Sequence, residues 1–330
     1  MKRIGIRFEG FETLAQAREL AVRAEAAGAS SVWVTQHLGG RDIATLSTAI
    51  ALDTRRIRIV PSNISPFIAH PTTTAMALAT LVELAPGRIA ASVGIGNALD
   101  LGKSGVAPKD AEDSVCDFVQ GLQALLAGGP VQREGRTYRL DGAKLAAPPS
   151  SLVPLYITAL EPGIAARAAG VGAALQLSAG FSPEFAKRCV NAYTGAPNGR
   201  TVPGRAGFAA PERVGFAYFG TDESSSFEGV RRKLAYLFRN RLMADNLKMS
   251  GLPIDQPAII EAVARNDLDA ATRMVPDEAV GAFAITGNHS QCLAIAQRFF
   301  AAGLDELLIN VGSTEAEITA ALALISAVNY

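Results

Sequence analysis

The chain has 330 residues, 49% apolar and 19% charged, with 31 basic residues balanced by 31 acidic ones. This is the composition of a folded globular protein, and a net charge of zero supplies no global field for nucleic acid or an anionic membrane. Three isolated cysteines, Cys116, Cys189 and Cys292, lack the CxxC spacing of a zinc or dithiol site and suit a reducing cytoplasm. The opening MKRIGIRFEG has no apolar core of the kind a secretory signal needs, and no apolar run is long enough to cross a bilayer.

In chain order, strand-like stretches fall at 3–8, 31–36, 57–61, 88–93, 152–159, 173–178, 213–219 and 306–311. Most are unbroken apolar runs, the pattern of strands covered on both faces. Helical periodicity occupies 13–27, 45–52, 72–84, 113–126, 162–169, 183–191, 225–241, 290–302 and 314–327. Gly28, Gly87, Gly128, Gly170 and Gly303 mark helix ends. Alternating strands and helices predict an α/β fold, either a closed (β/α)8 TIM barrel or an open doubly wound sheet. The count of eight favours the barrel, as one domain over 1–330. Two stretches depart from the repeat. QREGRTYRL at 132–140 reads as a hairpin turning at Glu134-Gly135, an insertion after strand four, and 243–280 reads as a helical insertion after strand seven. Both are expected to shape a pocket at the C-terminal mouth.

Barrel chemistry gathers where strands end. Those ends are Arg7-Phe8-Glu9, Thr35-Gln36-His37, Ser62-Asn63, Gly94-Ile95-Gly96-Asn97, Thr158-Ala159 with Glu161-Pro162-Gly163 opening the next helix, and Gln176-Leu177-Ser178. None offers a lysine for a Schiff base, His37, His70 and His289 are too dispersed for a metal hydrolase, and no GxSxG elbow is present. Strand three instead runs into an apolar ledge stiffened by proline, IRIVPSNISPFIAHP at 57–71. Few polar groups beside an apolar ledge suit a flat aromatic cofactor that brings its own chemistry. GIGNALD at 94–100 fits a dinucleotide fingerprint poorly, because Leu99 stands where a third glycine is needed. His70 before Pro71 reads as a helix cap and Trp33 as core, while Arg7 and Glu9 are expected to pair with each other or with neighbours.

Together, VWVTQH (32–37), RDIATLSTAIALDTRRIRI (41–59), SNISPFIAHP (62–71), GRIAASVGIGN (87–97), PLYITALEPGIAARAAG (154–170) and AITGNHSQCLAIAQRFFAAGLDELLI (284–309) resemble the bacterial luciferase-like family. Within it they look most like the deazaflavin-dependent branch that includes methylenetetrahydromethanopterin reductase. The resemblance implies a (β/α)8 barrel with coenzyme F420 or FMN at its C-terminal mouth, commonly as a homodimer. It also implies a bulge after strand three, with a non-prolyl cis peptide at Ser62–Asn63 followed by Ile64, backing the cofactor ring. Gly94 and Gly96 match glycines that let the cofactor pass close to the backbone, and Asn97 and Asp100 match positions holding its ribityl hydroxyls. Thr158, Ala159 and Gly163 match a turn whose backbone N–H groups receive the phosphate. His37 matches a position on the reactive side of the ring and is the candidate proton donor or substrate anchor. Gln36 replaces an acidic residue often seen there, and an amide orients a substrate without moving a proton. Ala69 stands where family members often place an arginine.

The function expected is therefore a cytoplasmic oxidoreductase that moves hydride between F420 and an organic small molecule. With FMN, the same barrel would be a monooxygenase fed by a partner flavin reductase. A non-catalytic flavin-binding protein is the remaining alternative, and no metal, nucleic-acid or membrane site is expected.

Overall fold

The structure, a computed structural model, describes residues 2–197 and 213–329. The first strand, β1 (Arg3–Phe8), leads into α1 (Leu14–Ala26), β2 (Ser31–Thr35) into α2 (Ile43–Asp53), and β3 (Arg58–Ser62) into α3 (Pro71–Leu84). The short β4 (Ala91–Val93) leads into α4 (Ala98–Lys103) and α5 (Ala111–Leu126), followed by the antiparallel hairpin β5 (Val131–Glu134) and β6 (Arg139–Ala143). Next come β7 (Leu155–Ala159) with α6 (Pro162–Gly170), and β8 (Ala174–Leu177) with α7 (Pro183–Gly195). After β9 (Arg213–Ala217) the chain adds β10 (Phe219–Gly220) and α8 (Ser224–Phe238). A run of short helices follows: α9 (Ala244–Ser250), α10 (Gln256–Ala264), α11 (Leu268–Arg273) and α12 (Asp277–Phe283). The strand β11 (Ile285–Thr286) pairs parallel with β10, and α13 (His289–Ala301), β12 (Glu306–Ile309) and α14 (Glu315–Asn329) complete the chain.

Eight parallel strands form one sheet in the order β3-β2-β1-β12-β9-β8-β7-β4. Its two end strands meet through the bridges Ile59↔Ile89 and Ile64↔Val93, which close it into the expected (β/α)8 barrel. β4 is shorter than its apolar run because residues 88–90 bond only to Ile59, by single links rather than a continuous ladder. Eight helices, α1, α2, α3, α5, α6, α7, α13 and α14, ring the barrel, each packed on its neighbour in that order.

Alternation along the strands separates two cores. Ile4, Ile6 and Phe8 of β1 face the helices, whereas Trp33, Val60, Tyr156, Val214, Phe216 and Leu308 fill the barrel interior. Trp33 and Tyr156 meet edge to face at 5.0 Å, and the Trp33 indole N–H donates to the Ser31 hydroxyl (2.9 Å), so the expectation of a core tryptophan holds. All three cysteines are free and buried, and burial pushes their thiols up to about 11 (Cys116), 12 (Cys189) and 11 (Cys292). At that setting they are neutral small apolar groups.

The two insertions take different places. The hairpin packs on α5: Tyr138 donates its hydroxyl to the Asp117 carbonyl (2.5 Å) and meets Phe118 and His70 edge-on. It covers the ring of helices and contributes nothing to the strand-end niche described below, contrary to the expectation that both insertions shape the mouth. Helix α8, by contrast, crosses the strand ends. Its Lys233 binds Glu9 beyond β1 (3.2 Å), and its Leu237 packs with Tyr218 against the interior cluster. The Asn246 amide of α9 donates to the Gly180 carbonyl beyond β8 (2.7 Å). Among the described residues no helix is long and apolar enough to cross a membrane, and no group of three His, Cys, Asp or Glu is arranged to hold a metal.

Candidate active site at the strand ends

Strand three ends in the tightest turn of the mouth. The 62–63 peptide is trans, so the expected cis bond is absent; the chain turns instead through Asn63, at φ 62°. Asparagine tolerates this left-handed conformation because its short polar side chain bonds locally. Beyond the turn, Ile64 resumes pairing: its N–H donates to the Ser92 carbonyl (2.9 Å), and its own carbonyl accepts from Gly94 N (3.1 Å). The Ile64 side chain is buried in the large apolar cluster, with Pro66 buried beside it. The ledge therefore does structural work as the seam that closes β3 on β4.

A polar network spans the adjacent strand ends. The Thr158 hydroxyl lies 2.5 Å from both Asn63 Oδ1 and Gln176 Oε1, and the Ser92 hydroxyl lies 3.0 Å from Thr158 Oγ1 and from Gln176 Oε1. One threonine proton serves one amide oxygen at a time, so Ser92 holds Gln176 when Thr158 turns to Asn63. Gly94 makes room for this cluster. A Cβ there would stand 3.2 Å from Thr158 Cβ and 3.6 Å from Asn63 Oδ1. Gly96, at φ 96°, lies against Leu101 and Ser65, where a side chain would be both strained and crowded.

Gln36, Asn63, Ser65, Gly96, Asn97 and Asp100 line one niche together with Leu38, Ile68 and Leu101. Its volume is about 10 Å³, a floor under a flat ligand rather than a chamber for one. Gln36 Oε1 makes a long contact with Ser65 N (3.4 Å), and the Ser65 hydroxyl donates to the Ile95 carbonyl (2.7 Å). At the rim, His37 Nδ1 lies 3.6 Å from Asp100 Oδ2, and the His37 ring stacks on Phe11 with centroids 5.4 Å apart and planes 19° from parallel. Asn97 caps α4, accepting from Leu99 N (3.1 Å). Ala159 is buried, its carbonyl accepting from Ser178 N (3.3 Å). Gly163 stands exposed in the first turn of α6, and Glu161 does not cap that turn, so the first-turn N–H groups have no side-chain cap. His70 caps α3, accepting from Thr72 N (3.2 Å), as its place before Pro71 implied.

Of the residues singled out from sequence, His37, Gln36, Asn63, Gly94, Gly96, Asn97, Asp100 and Thr158 come together at the ends of β2, β3, β4 and β7. Ser62 is buried beneath them, and Ala159 and Gly163 lead away toward α6. Sequence reasoning passed over Ser65, Ser92, Gln176 and Phe11. Ser92 and Gln176 carried a readable signal, each being a polar residue at an inward position of an otherwise apolar strand.

A profile of the luciferase-like monooxygenase family matches residues 4–306. The chain belongs to that family. Among luciferase-like relatives, the 5,10-methylenetetrahydromethanopterin reductase of Archaeoglobus fulgidus is 24% identical over 293 residues, 86% of each chain. The F420-dependent glucose-6-phosphate dehydrogenase of Mycobacterium avium is 35% identical over 183 residues, 51% of this chain and 54% of that one. The structure of the coenzyme F420-dependent tetrahydromethanopterin reductase of Methanopyrus kandleri superposes with a TM-score of 0.81 at 20% identity, over 98% of this chain and 97% of that one, which shows the shared fold.

Proposed function

We propose that this protein is an oxidoreductase that uses coenzyme F420 at the strand ends of β2, β3, β4 and β7 to reduce or oxidise an organic substrate. The observation that carries the reading is the convergence of Gln36, Asn63, Gly96, Asn97 and Asp100 on one niche beside His37. The F420-dependent activities in the names of its relatives support it.

The residues suit such a cofactor in chemistry. Gly94 and Gly96 leave a bare strip of backbone, Asn97 and Asp100 supply polar groups for hydroxyls, and the uncapped first turn of α6 at Gly163 presents N–H groups to a phosphate. Glu161, whose carboxylate sits 3.3 Å from the point where a Gly163 Cβ would stand, must turn outward to admit that phosphate. When bound, F420 supplies or accepts hydride at its ring carbon. The protein's part is to hold the reacting carbons in contact and exclude water, and His37 moves the accompanying proton with Asp100 beside it to orient the imidazole.

Fluorescence titration of the apoprotein with F420, FMN and NADPH tests the reading. Tight F420 binding without oxygen uptake is expected, FMN binding with oxygen uptake would replace it with a monooxygenase, and binding of NADPH alone would end it.

A homodimer in solution belongs to the same proposal. α2 has no charged residue between Ile43 and Leu52, and its neighbour α3 joins it in exposing apolar side chains at Leu52 (58%), Met76 (55%) and Leu84 (42%). Light scattering at working concentration tests this, and a monomer mass would refute it.

A further inference from the structure

Arg7 is a buried cation with an unanswered charge. It lies on the opposite side of β1 from Ile6 and Phe8, inside the barrel, and is only 6% exposed. Its Nε donates to Thr35 Oγ1 (2.7 Å), its guanidinium lies 4.6 Å from the centre of the Phe216 ring, and its Nη1 is buried with no partner. No carboxylate among the described residues stands within ion-pair distance of it. Glu9, two residues along, is held by Lys233 (3.2 Å). Lys233 also sits 5.3 Å over the Tyr218 ring, and Tyr218 packs edge-on against Phe216 at 5.2 Å. The amide of Asn310, the inward residue after β12, is spent on the backbone of Phe219.

On this wall the Glu9 and Lys233 charges cancel and one positive charge remains. A desolvated charge without a partner is strongly unfavourable, and such groups persist where something else answers them. Burial lowers the guanidinium's pKa to about 10, with Tyr218 and Glu9 opposing the shift, so it stays cationic at neutral pH. Arg7 also stands at one end of a polar belt. Thr35 pairs in register with Ser62, Ser62 Oγ lies 3.5 Å from Asn63 Oδ1, and Asn63 meets Thr158 and, through it, Gln176.

We infer that Arg7 anchors the substrate by binding one carboxylate group through its free Nη edge. The planar fork matches a planar pair of oxygens, and one surplus charge matches a monoanion, whereas a phosphate dianion would leave a negative charge buried. The inference rests on the oxidoreductase reading for what the carboxylate belongs to, and on the geometry alone for the carboxylate site.

Calorimetric titration of the full chain with acetate, benzoate, benzamide and phenyl phosphate tests it, using wild type, Arg7→Met and Arg7→Lys. Wild type should bind acetate or benzoate in preference to benzamide and phenyl phosphate. Arg7→Met should weaken carboxylate binding by about tenfold or more, and Arg7→Lys, which keeps the charge without the fork, by less. In the absence of carboxylate, Arg7→Met should melt no lower than wild type, because it removes an unpaired buried charge; a purely structural arginine would lower the Tm. Equal carboxylate affinity in all three proteins, no carboxylate binding by wild type, or a preference for phenyl phosphate would overturn the inference. F420 titration of the same proteins keeps the two readings apart: loss of carboxylate affinity with F420 affinity retained supports the anchor, whereas failure of wild type to bind F420 sinks the cofactor reading and leaves the carboxylate result standing by itself.

Discussion

Nδ1 of His37, just beyond β2, lies 3.6 Å from Oδ2 of Asp100 in the first turn of α4. Two strand-end segments far apart in sequence thus present an imidazole and a carboxylate to one another beside the glycine turn, with Phe11 stacked on the outer face of the ring. An imidazole held this way is oriented for proton transfer. His37→Ala should leave F420 affinity within about twofold and reduce turnover by about 100-fold or more, the range removed when a positioned acid or base is lost. Steady-state rates with F420 saturating check this; unchanged turnover would leave His37 a structural residue.

The Thr158 hydroxyl is the hub of the network that joins β3, β4, β7 and β8. Thr158→Val keeps the shape and removes the hub, leaving Asn63 Oδ1 without its donor while Ser92 continues to satisfy Gln176. The cost should be about 1–3 kcal/mol in denaturant unfolding, with cofactor affinity falling as the Asn63 turn loosens. A Thr158→Ser variant, which restores the hydroxyl, should recover most of both.

Gly94 and Gly96 separate space from strain. Gly94→Ala adds a methyl 3.2 Å from Thr158 Cβ, so its main effect should be a loss of F420 affinity by fluorescence titration. Gly96→Ala must also hold φ 96° with a Cβ, and it should cost about 1 kcal/mol or more of stability besides. Wild-type F420 affinity in both variants would mean that this backbone strip lies outside the cofactor seat.

How much of this was legible in the sequence follows from which forces act locally. The barrel was readable because buried parallel strands need unbroken apolar runs and each helix stops at a glycine, and His70 was readable as a cap because Pro71 follows it. The conformation at Ser62–Asn63 was not, because whether a bulge turns through a cis peptide or a left-handed asparagine depends on what Asn63 finds across the barrel, namely Thr158. Nor was the lone charge of Arg7, since Glu9 is the obvious partner until Lys233, more than two hundred residues later, claims it. Ser65 stayed hidden for the same reason: its contacts run to Gln36 and Ile95 on other strands.

Acid should loosen the base of the third strand. Glu25 of α1 accepts from the backbone N–H groups of Arg55 (2.9 Å), Arg56 (2.6 Å) and Ile57 (2.8 Å), the residues that lead into β3. Burial works to raise its pKa, but these three donors outweigh burial and hold it below the ordinary 4.5. A carboxylate depressed in the fold contributes stability that is fully present above its unfolded pKa and is lost as pH falls through the folded one. Glu25→Gln should therefore melt below wild type at neutral pH, with the gap narrowing from about pH 5 to about pH 3. A gap independent of pH would assign the loss to packing.

The account turns on where a flat cofactor sits. A crystal structure of the chain with F420 bound should show the deazaflavin ring against Asn63 and the Gly94–Gly96 strip, with His37 on the side open to substrate. A ring bound elsewhere, with the Asn63–Thr158–Gln176 network and the small niche beside it unchanged and uncovered, would contradict it.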